Sequence, residues 1–150
     1  NAVKNSLEND LQNNFKAYSP EFHRHQPEIK NFLSSKKGTV NEIIFTPHLL
    51  PIFRGEYITA YLELKDTQED LNQLFEKHYN SNKFVRILNK GTIPELSKVQ
   101  NTNFCDIGIF ENQGCAVIHS AIDNLVKGAA GQAIQCFNLM IGEKEEYILE

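Results

Sequence analysis

The stretch YITAYLEL, residues 57–64, alternates apolar and polar side chains with a period of two. This alternation is typical of a β-strand with one buried face. Two more strands are predicted at 104–110 and 115–122, and the four residues ENQG at 111–114 separate them. That connection has the length of a hairpin loop and ends in a glycine, which a left-handed turn position favours. The sequence therefore predicts a sheet with antiparallel neighbours.

Helices and shorter strands are predicted around this sheet. Three helices are expected, one from Pro27 to about Lys37 with Gly38 as its stop, one capped by Thr67 with Asp70 three residues on, and one from near Asn124 to Gly142. Shorter extended segments are expected at 15–20, 40–45, 84–88 and 96–100. This order predicts an α+β fold with a mixed, largely antiparallel sheet and helices mainly on one face.

Composition narrows the class of protein. The 150 residues and 17.2 kDa suit one domain of ordinary size. The formal net charge of -4 and pI near 5.7 argue against a nucleic-acid partner, which needs clustered basic residues. No apolar run approaches the length of a membrane helix, so no membrane partner is expected and the expected location is cytoplasmic.

The cysteines and the first residues of the chain give two further expectations. Cys105, Cys115 and Cys136 are an odd number without paired spacing and lie in apolar sequence, which favours buried free thiols over disulfides. The chain begins Asn1-Ala2 without a methionine, so upstream residues are expected to have been removed or not included.

The stretch HRHQPEI, residues 23–29, is the candidate functional turn. It precedes a predicted helix, whose N-terminal amides and dipole favour an anion, and it supplies imidazoles and a guanidinium there. Arginine binds carboxylate or phosphate through two hydrogen bonds, and histidine exchanges a proton near neutral pH. The alternative is a solvated polar turn. The neighbouring loop residue His48 is a further polar candidate.

The sequence gives less support to a metal site, a Cys–His pair or a phosphate-binding loop. A metal site is not predicted, because the two histidines of the turn lack the further ligands that zinc requires. A Cys–His pair is not identifiable, and no glycine-rich phosphate loop is present. The small residues at 128–133 favour either a tightly packed helix or the close approach of a flat ligand, and the residues alone leave both open.

Five stretches together resemble successive motifs of the N-acetyl-gamma-glutamyl-phosphate reductase family. They are FKAY (15–18), HRHQPEI (23–29), FTPHLLPI with RG (45–55), NFCDI (103–107) and IDNLVKGAAGQA (122–133). The resemblance runs from about residue 15 to residue 142 in the family's order. It implies the substrate and dimerisation domain of an NADP-dependent enzyme of arginine biosynthesis, similar to the C-terminal domain of glyceraldehyde-3-phosphate dehydrogenase.

The resemblance also implies roles for individual residues. His23 would be the acid/base, and the substrate, a small acyl phosphate, would contact other polar side chains, namely Tyr18, Arg24, His25, Glu28 and Arg54. The nicotinamide half of NADP would face Asn124, Lys127 and Gly128. Residues 1–122 would form the substrate-binding and dimerisation domain, and 123–150 would form a helix that packs on an upstream NADP-binding domain. A homo-oligomer is expected.

The chain departs from the family pattern in two places. The Gly-Cys-(Tyr/Phe)-Pro stretch that carries the family's nucleophile, and its glycine-rich nucleotide loop, do not occur in this sequence. None of the three cysteines has the right neighbours, so the chain alone is expected to be inactive and not to bind NADP tightly. Residues 143–150 also lack the family's usual ending. Because the family's final helix packs on the nucleotide-binding domain, its apolar face is expected to be partly uncovered in this chain and to seek a second copy. The alternative is a stand-alone dimerisation or interaction module without catalysis, whose sheet and final helix serve oligomerisation only.

Overall fold

A computed structural model describes residues 13–38, 42–64 and 69–149. The chain divides into two compact units, Asn1–Phe53 and Arg54–Glu150. Among the described residues, the first unit holds a two-stranded antiparallel sheet and one α-helix, and the second holds a four-stranded sheet and two α-helices. No helix within the described ranges is both long and apolar enough to cross a bilayer.

The first unit is built from three elements. Strand β1 (Lys16–Ala17) pairs with strand β2 (His48–Leu49), and helix α1 (His25–Lys37) lies between them in sequence. The helix ends at Gly38, whose φ of 78° lies in the left-handed region that glycine adopts without strain. Pro27 is the third helical residue, not the first as predicted, because the helix already begins at His25.

The second unit is organised around a sheet with the order β3-β6-β5-β4. Its strands are β3 (Glu56–Glu63), β4 (Val85–Ile87), β5 (Cys105–Asn112) and β6 (Cys115–Ile122). Strand β6 is antiparallel to β3 and β5, whereas β4 is parallel to β5. The β5–β6 connection is a two-residue turn at Gln113 and Gly114, both with positive φ, which matches the twist of a tight hairpin.

Helix α2 (Leu71–Tyr79) covers one face of this sheet. Its residue Leu71 packs with Ile107, Ile109 and Ala116 in the core, and Phe75 packs against their edge. The chain then passes through a π-turn (Val126–Ala130) into helix α3 (Gly131–Met140). The predicted α+β class, with its mixed and largely antiparallel sheet, is confirmed.

Several local predictions differ from the structure. Asp70 is the N-cap of α2, since its carboxylate accepts the Gln73 amide at 3.3 Å. The predicted cap Thr67, and Val40 at the start of a predicted strand, lie outside the described residues. Residues 42–45 are not a strand, and the extended segment predicted at 96–100 is a 3₁₀ turn at Leu96–Lys98. The loop predicted at 46–55 contains β2, so its prolines do not exclude all pairing.

Two burial predictions also fail. Strand β3 forms where its alternation predicts, but Ile58 and Leu62 remain 45% and 51% exposed because β3 is an edge strand beyond the cover of α2. The three cysteines are free, yet Cys136 is exposed and the other two are only half-buried.

Candidate functional site

The candidate turn folds into an aromatic cluster in the first unit. The His23 ring lies 5.4 Å from Tyr18, 4.7 Å from His25 and 5.2 Å from Phe45, measured between ring centroids. Pairing of β1 with β2 places Tyr18 there, since the Tyr18 amide donates to the Pro47 carbonyl at 3.0 Å. The structure thus brings together three of the predicted site residues, Tyr18, His23 and His25.

Hydrogen bonding assigns the His23 proton. The His25 amide donates to His23 Nδ1 at 3.3 Å, so Nδ1 acts as an acceptor. A neutral imidazole that accepts through Nδ1 carries its proton on Nε2. His23 is only half-buried, so Nε2 can be reached by a ligand. Nε2 can give its proton to a reacting group and later take a proton back.

The same contacts change the interpretation of the helix entrance. The first free amides of α1 were predicted to bind an anion, but the His25 and Gln26 amides are bonded to His23 Nδ1 and to the His23 carbonyl. Pro27 has no amide proton. These three positions therefore offer no donor to a ligand, and attraction for an anion depends on the side chains of the turn.

The three other candidate polar residues of the first unit, Arg24, Glu28 and His48, lie at the surface. Arg24 and Glu28 are exposed, Arg24 as the N-cap position and Glu28 in the first turn of α1. An exposed guanidinium suits an anionic ligand. His48 is also exposed, with Nδ1 3.1 Å from the Thr46 carbonyl and its ring 6.0 Å from Phe15.

Arg54 belongs to the second unit and is held within it. Its Nη2 donates to Asp123 Oδ1 at 2.7 Å, and its Nη1 donates to Asn101 Oδ1 at 3.1 Å. The Arg54 carbonyl accepts from Gln100 Nε2 at 2.6 Å. With two of its three guanidinium nitrogens bonded inside the chain, Arg54 has a structural role here that its predicted role as a substrate contact did not include.

Asp123 is the centre of this network. Its fully buried carboxylate also accepts the backbone amides of Asn101 (2.6 Å), Leu125 (2.9 Å) and Val126 (3.0 Å). Burial favours a higher pKa for this carboxyl, but the Arg54 guanidinium and the three amides outweigh it and lower the pKa of Asp123 to about 2. The carboxylate is charged at neutral pH.

The predicted cofactor residues follow Asp123 directly. Asn124 Oδ1 accepts the Gly55 amide at 2.8 Å, and the Gly128 amide donates to the Asp123 carbonyl at 2.9 Å. Lys127 Nζ donates to Gln135 Oε1 at 2.7 Å and lies 5.7 Å from the Phe84 ring. Burial lowers the pKa of Lys127. Each of these residues thus has a contact inside the second unit.

Neither the Cys105 thiol nor a set of metal-binding side chains offers a second reactive site among the described residues. Burial raises the pKa of the Cys105 thiol, so this cysteine stays protonated near neutral pH and is a poor nucleophile. In the part of the chain that the structure describes, no three His, Cys, Asp or Glu side chains converge as a metal site.

Sequence reasoning missed two residues that matter to these sites. Phe45 packs against both histidines of the turn, but it was assigned to a strand. Asp123 organises three segments, and a signal for it exists, because an aspartate just before a helical run is a common N-cap. Its bond to Arg54 spans 69 residues and has no local signal.

Comparisons with known proteins agree on a family. Residues 1–124 match the model of the semialdehyde dehydrogenase dimerisation domain. The chain is 48% identical to N-acetyl-gamma-glutamyl-phosphate reductase of Leptospira interrogans over 134 residues, which is 88% of this chain and 40% of that protein. It is 46% identical to the reductase of Staphylococcus saprophyticus, covering 91% of this chain and 41% of that protein. The chain thus spans about two fifths of these relatives.

Solved structures share the fold. Aspartate semialdehyde dehydrogenase II from Vibrio cholerae matches with a TM-score of 0.66 at 13% identity, over 88% of this chain and 42% of that one. A probable aspartate-semialdehyde dehydrogenase from Pseudomonas aeruginosa matches with a TM-score of 0.67 at 18% identity, over 85% and 41%. With the family model matched over residues 1–124, the chain belongs to the semialdehyde dehydrogenase dimerisation-domain family.

Proposed function

We propose that this chain is the C-terminal domain of an N-acetyl-gamma-glutamyl-phosphate reductase, which converts N-acetyl-glutamyl phosphate to N-acetyl-glutamate semialdehyde with NADPH in arginine biosynthesis. Relatives with that name are 46% and 48% identical to this chain. The observation that carries the proposal is the His23 cluster, because it holds an imidazole whose Nδ1 is engaged by the His25 amide and whose Nε2 is left for proton transfer.

In this proposal His23 is the acid/base. Its Nδ1 is engaged by the His25 amide, so Nε2 is the atom that gives or takes a proton at the reacting oxygen. The Tyr18, His25 and Phe45 rings fix the plane of the imidazole. The exposed Arg24 guanidinium binds the phosphate or carboxylate of the substrate, and Tyr18, His25 and Glu28 shape its surroundings. Arg54 supports the second unit through Asp123.

The cofactor residues fit only part of NADP. The Gly128 and Ala130 amides donate to the carbonyls of Asp123 and Leu125, so these two amides are not available to bind phosphates. Gly128, Ala129 and Ala130 are exposed and small, which suits the flat nicotinamide ring, with Asn124 and Lys127 beside them. When bound to the longer protein, NADPH supplies the hydride. We also propose that residues 1–122 form the substrate-binding and dimerisation domain and that residues 123–150 form a final helix that packs on an NADP-binding domain.

The nucleophilic cysteine and the nucleotide-binding loop would come from an upstream domain. That domain would also cover the apolar side of α3, where Ile134, Phe137 and Ile141 are exposed. The chain alone is therefore inactive. Joining it to the upstream half should give NADPH-dependent reduction of the acyl phosphate, and turnover by the isolated chain would contradict this division of the site.

Self-association is the second part of the proposal. The family description names a dimerisation domain, and one face of the second unit's sheet carries exposed aromatic side chains. On that face Tyr57 and Thr59 place their hydroxyls 3.1 and 3.2 Å from His119 Nδ1, while Tyr61 is 74% exposed. A second copy of this chain is the proposed occupant, which makes the longer protein a homo-oligomer.

A further inference from the structure

Helix α3 buries a polar face. Gln135 and Asn138 are buried with Gly131, while its apolar side chains face outward. The buried Gln135 carboxamide connects two charged groups. Its Oε1 accepts from Lys127 Nζ at 2.7 Å, and its Nε2 donates to Glu145 Oε2 at 2.7 Å. Gln135 thus joins the π-turn to the C-terminal tail.

The tail is held from both sides. Glu145 Oε1 accepts the Lys83 backbone amide at 2.7 Å. Asn138 Nδ2 donates to the carbonyls of Glu145 at 3.2 Å and Tyr147 at 2.7 Å. Glu145 and Tyr147 lie beyond the stretch matched by the family model, which ends at residue 124, and within residues 143–150, which depart from the reductase ending.

We propose that Glu145 is a positioning residue for Lys127, acting through Gln135. The orientation of the buried Gln135 carboxamide supports this role. If the Gln135 carboxamide were rotated by half a turn, its NH₂ would face the Lys127 ammonium and its oxygen would face the Glu145 carboxylate. Both contacts would be repulsive. An anion at one end and a cation at the other therefore hold the Gln135 oxygen toward Lys127.

We call the hydrogen-bonded chain Lys127–Gln135–Glu145 the relay. Other groups around Lys127 also act on its ammonium. Burial opposes the charged form of Lys127, whereas Glu145 favours it, as do Cys105 and Cys136 when these thiols ionise. Asn103 Nδ2 donates to the same Gln135 oxygen at 3.0 Å. The relay is a property of this chain alone, while its use in cofactor binding rests on the function proposed above.

The test measures Lys127 directly. The chain is labelled with trace acetic anhydride from pH 7 to pH 11, and acetylation of Lys127 is read by mass spectrometry relative to exposed Lys90. In Glu145→Gln, the midpoint for Lys127 should move to lower pH and its relative acetylation at pH 8 should rise about threefold to tenfold. The control Glu143→Gln removes an exposed tail carboxylate and should change neither value.

Repeating the Glu145→Gln change in a Gln135→Met background distinguishes an effect that passes through Gln135 from a direct effect of the Glu145 charge on Lys127. In Gln135→Met, the shift caused by Glu145→Gln should fall to less than half. An equal shift in both backgrounds would mean that Glu145 acts on Lys127 through space, and no shift in either would mean that it only anchors the tail. Either result overturns the proposal. Gln135→Glu is the variant to use if the methionine variant does not fold; its new carboxylate should move the Lys127 midpoint to higher pH.

Discussion

Asp123 shows how one buried carboxylate can organise a large part of the second unit. It receives one guanidinium and three backbone amides, from segments that precede β3, precede β5 and follow β6. A buried charge is tolerated when every lone pair has a partner and the charge is balanced. Arg54 supplies that balance, with its side chain 15% exposed.

Asp123→Asn should destabilise the chain by about 3 kcal/mol at pH 7, because it leaves the Arg54 guanidinium without its partner. Denaturant unfolding followed by circular dichroism measures this loss. Asp70→Asn is the matched control, since asparagine also caps helices and Asp70 pairs with an exposed lysine. A loss no larger than that of the control would contradict the central role of Asp123.

The pH dependence of stability follows from the same carboxylate. Its pKa is about 2 in the folded chain and ordinarily 3.8, so the folded state favours the charged form. The resulting stabilisation of about 2 kcal/mol is complete above pH 4 to 5 and is lost as the pH falls through about 2. The difference in unfolding free energy between wild type and Asp123→Asn should therefore shrink between pH 5 and pH 2. A constant difference would disprove the assignment.

At the scale of the secondary-structure elements, the junction between the π-turn and α3 requires a close approach of other atoms to Gly131. A Cβ on Gly131 would lie 2.3 Å from Asn103 Oδ1 and 2.8 Å from Val126 Cγ1, whereas a Cβ on Gly128 would find only ordinary contacts from 3.5 Å. The two glycines therefore differ in what they can accept.

Gly131→Ala should cost about 1–3 kcal/mol of stability by overpacking, and Gly128→Ala should be nearly neutral. Thermal unfolding of the two variants side by side checks this. Equal melting temperatures would show that Asn103 moves aside without cost.

Element prediction succeeded where the signal was local. The alternation at 57–64 and the turn at Gln113-Gly114 specify strands and a hairpin through their own residues. Burial did not follow from the alternation of β3, since Ile58 and Leu62 remain 45% and 51% exposed. The exposure of the apolar side of α3, where Phe137 is 58% accessible, agrees with the expectation drawn from the resemblance. An apolar helix face indicates only that the face packs against a partner. Whether that partner lies in the same chain depends on the tertiary structure.

The candidate site was partly predictable for the same reason. His23, His25 and Tyr18 were identified from neighbouring motifs, and they do converge. The partners of Arg54 and Lys127 were not identified, because Asp123 and Gln135 are ordinary polar residues whose pairing depends on the fold.

At the scale of the whole molecule, self-association can be tested on the exposed face of the sheet. Tyr61→Glu places a charge on that face and should shift the chain toward the monomer by tenfold or more in dissociation constant. Sedimentation velocity over a concentration series measures it. Leu74→Glu on α2, which covers the other face, is the control. Equal effects of the two variants, or a wild-type chain that is monomeric throughout, would contradict this face as the interface.

We propose that this chain supplies the acid/base of a reductase through His23. The most direct test is kcat of the chain joined to its upstream half, for wild type, His23→Ala and the exposed control His78→Ala. We predict that His23→Ala lowers kcat by about 10²- to 10⁴-fold while His78→Ala retains it. A joined His23→Ala protein with full activity would contradict the account.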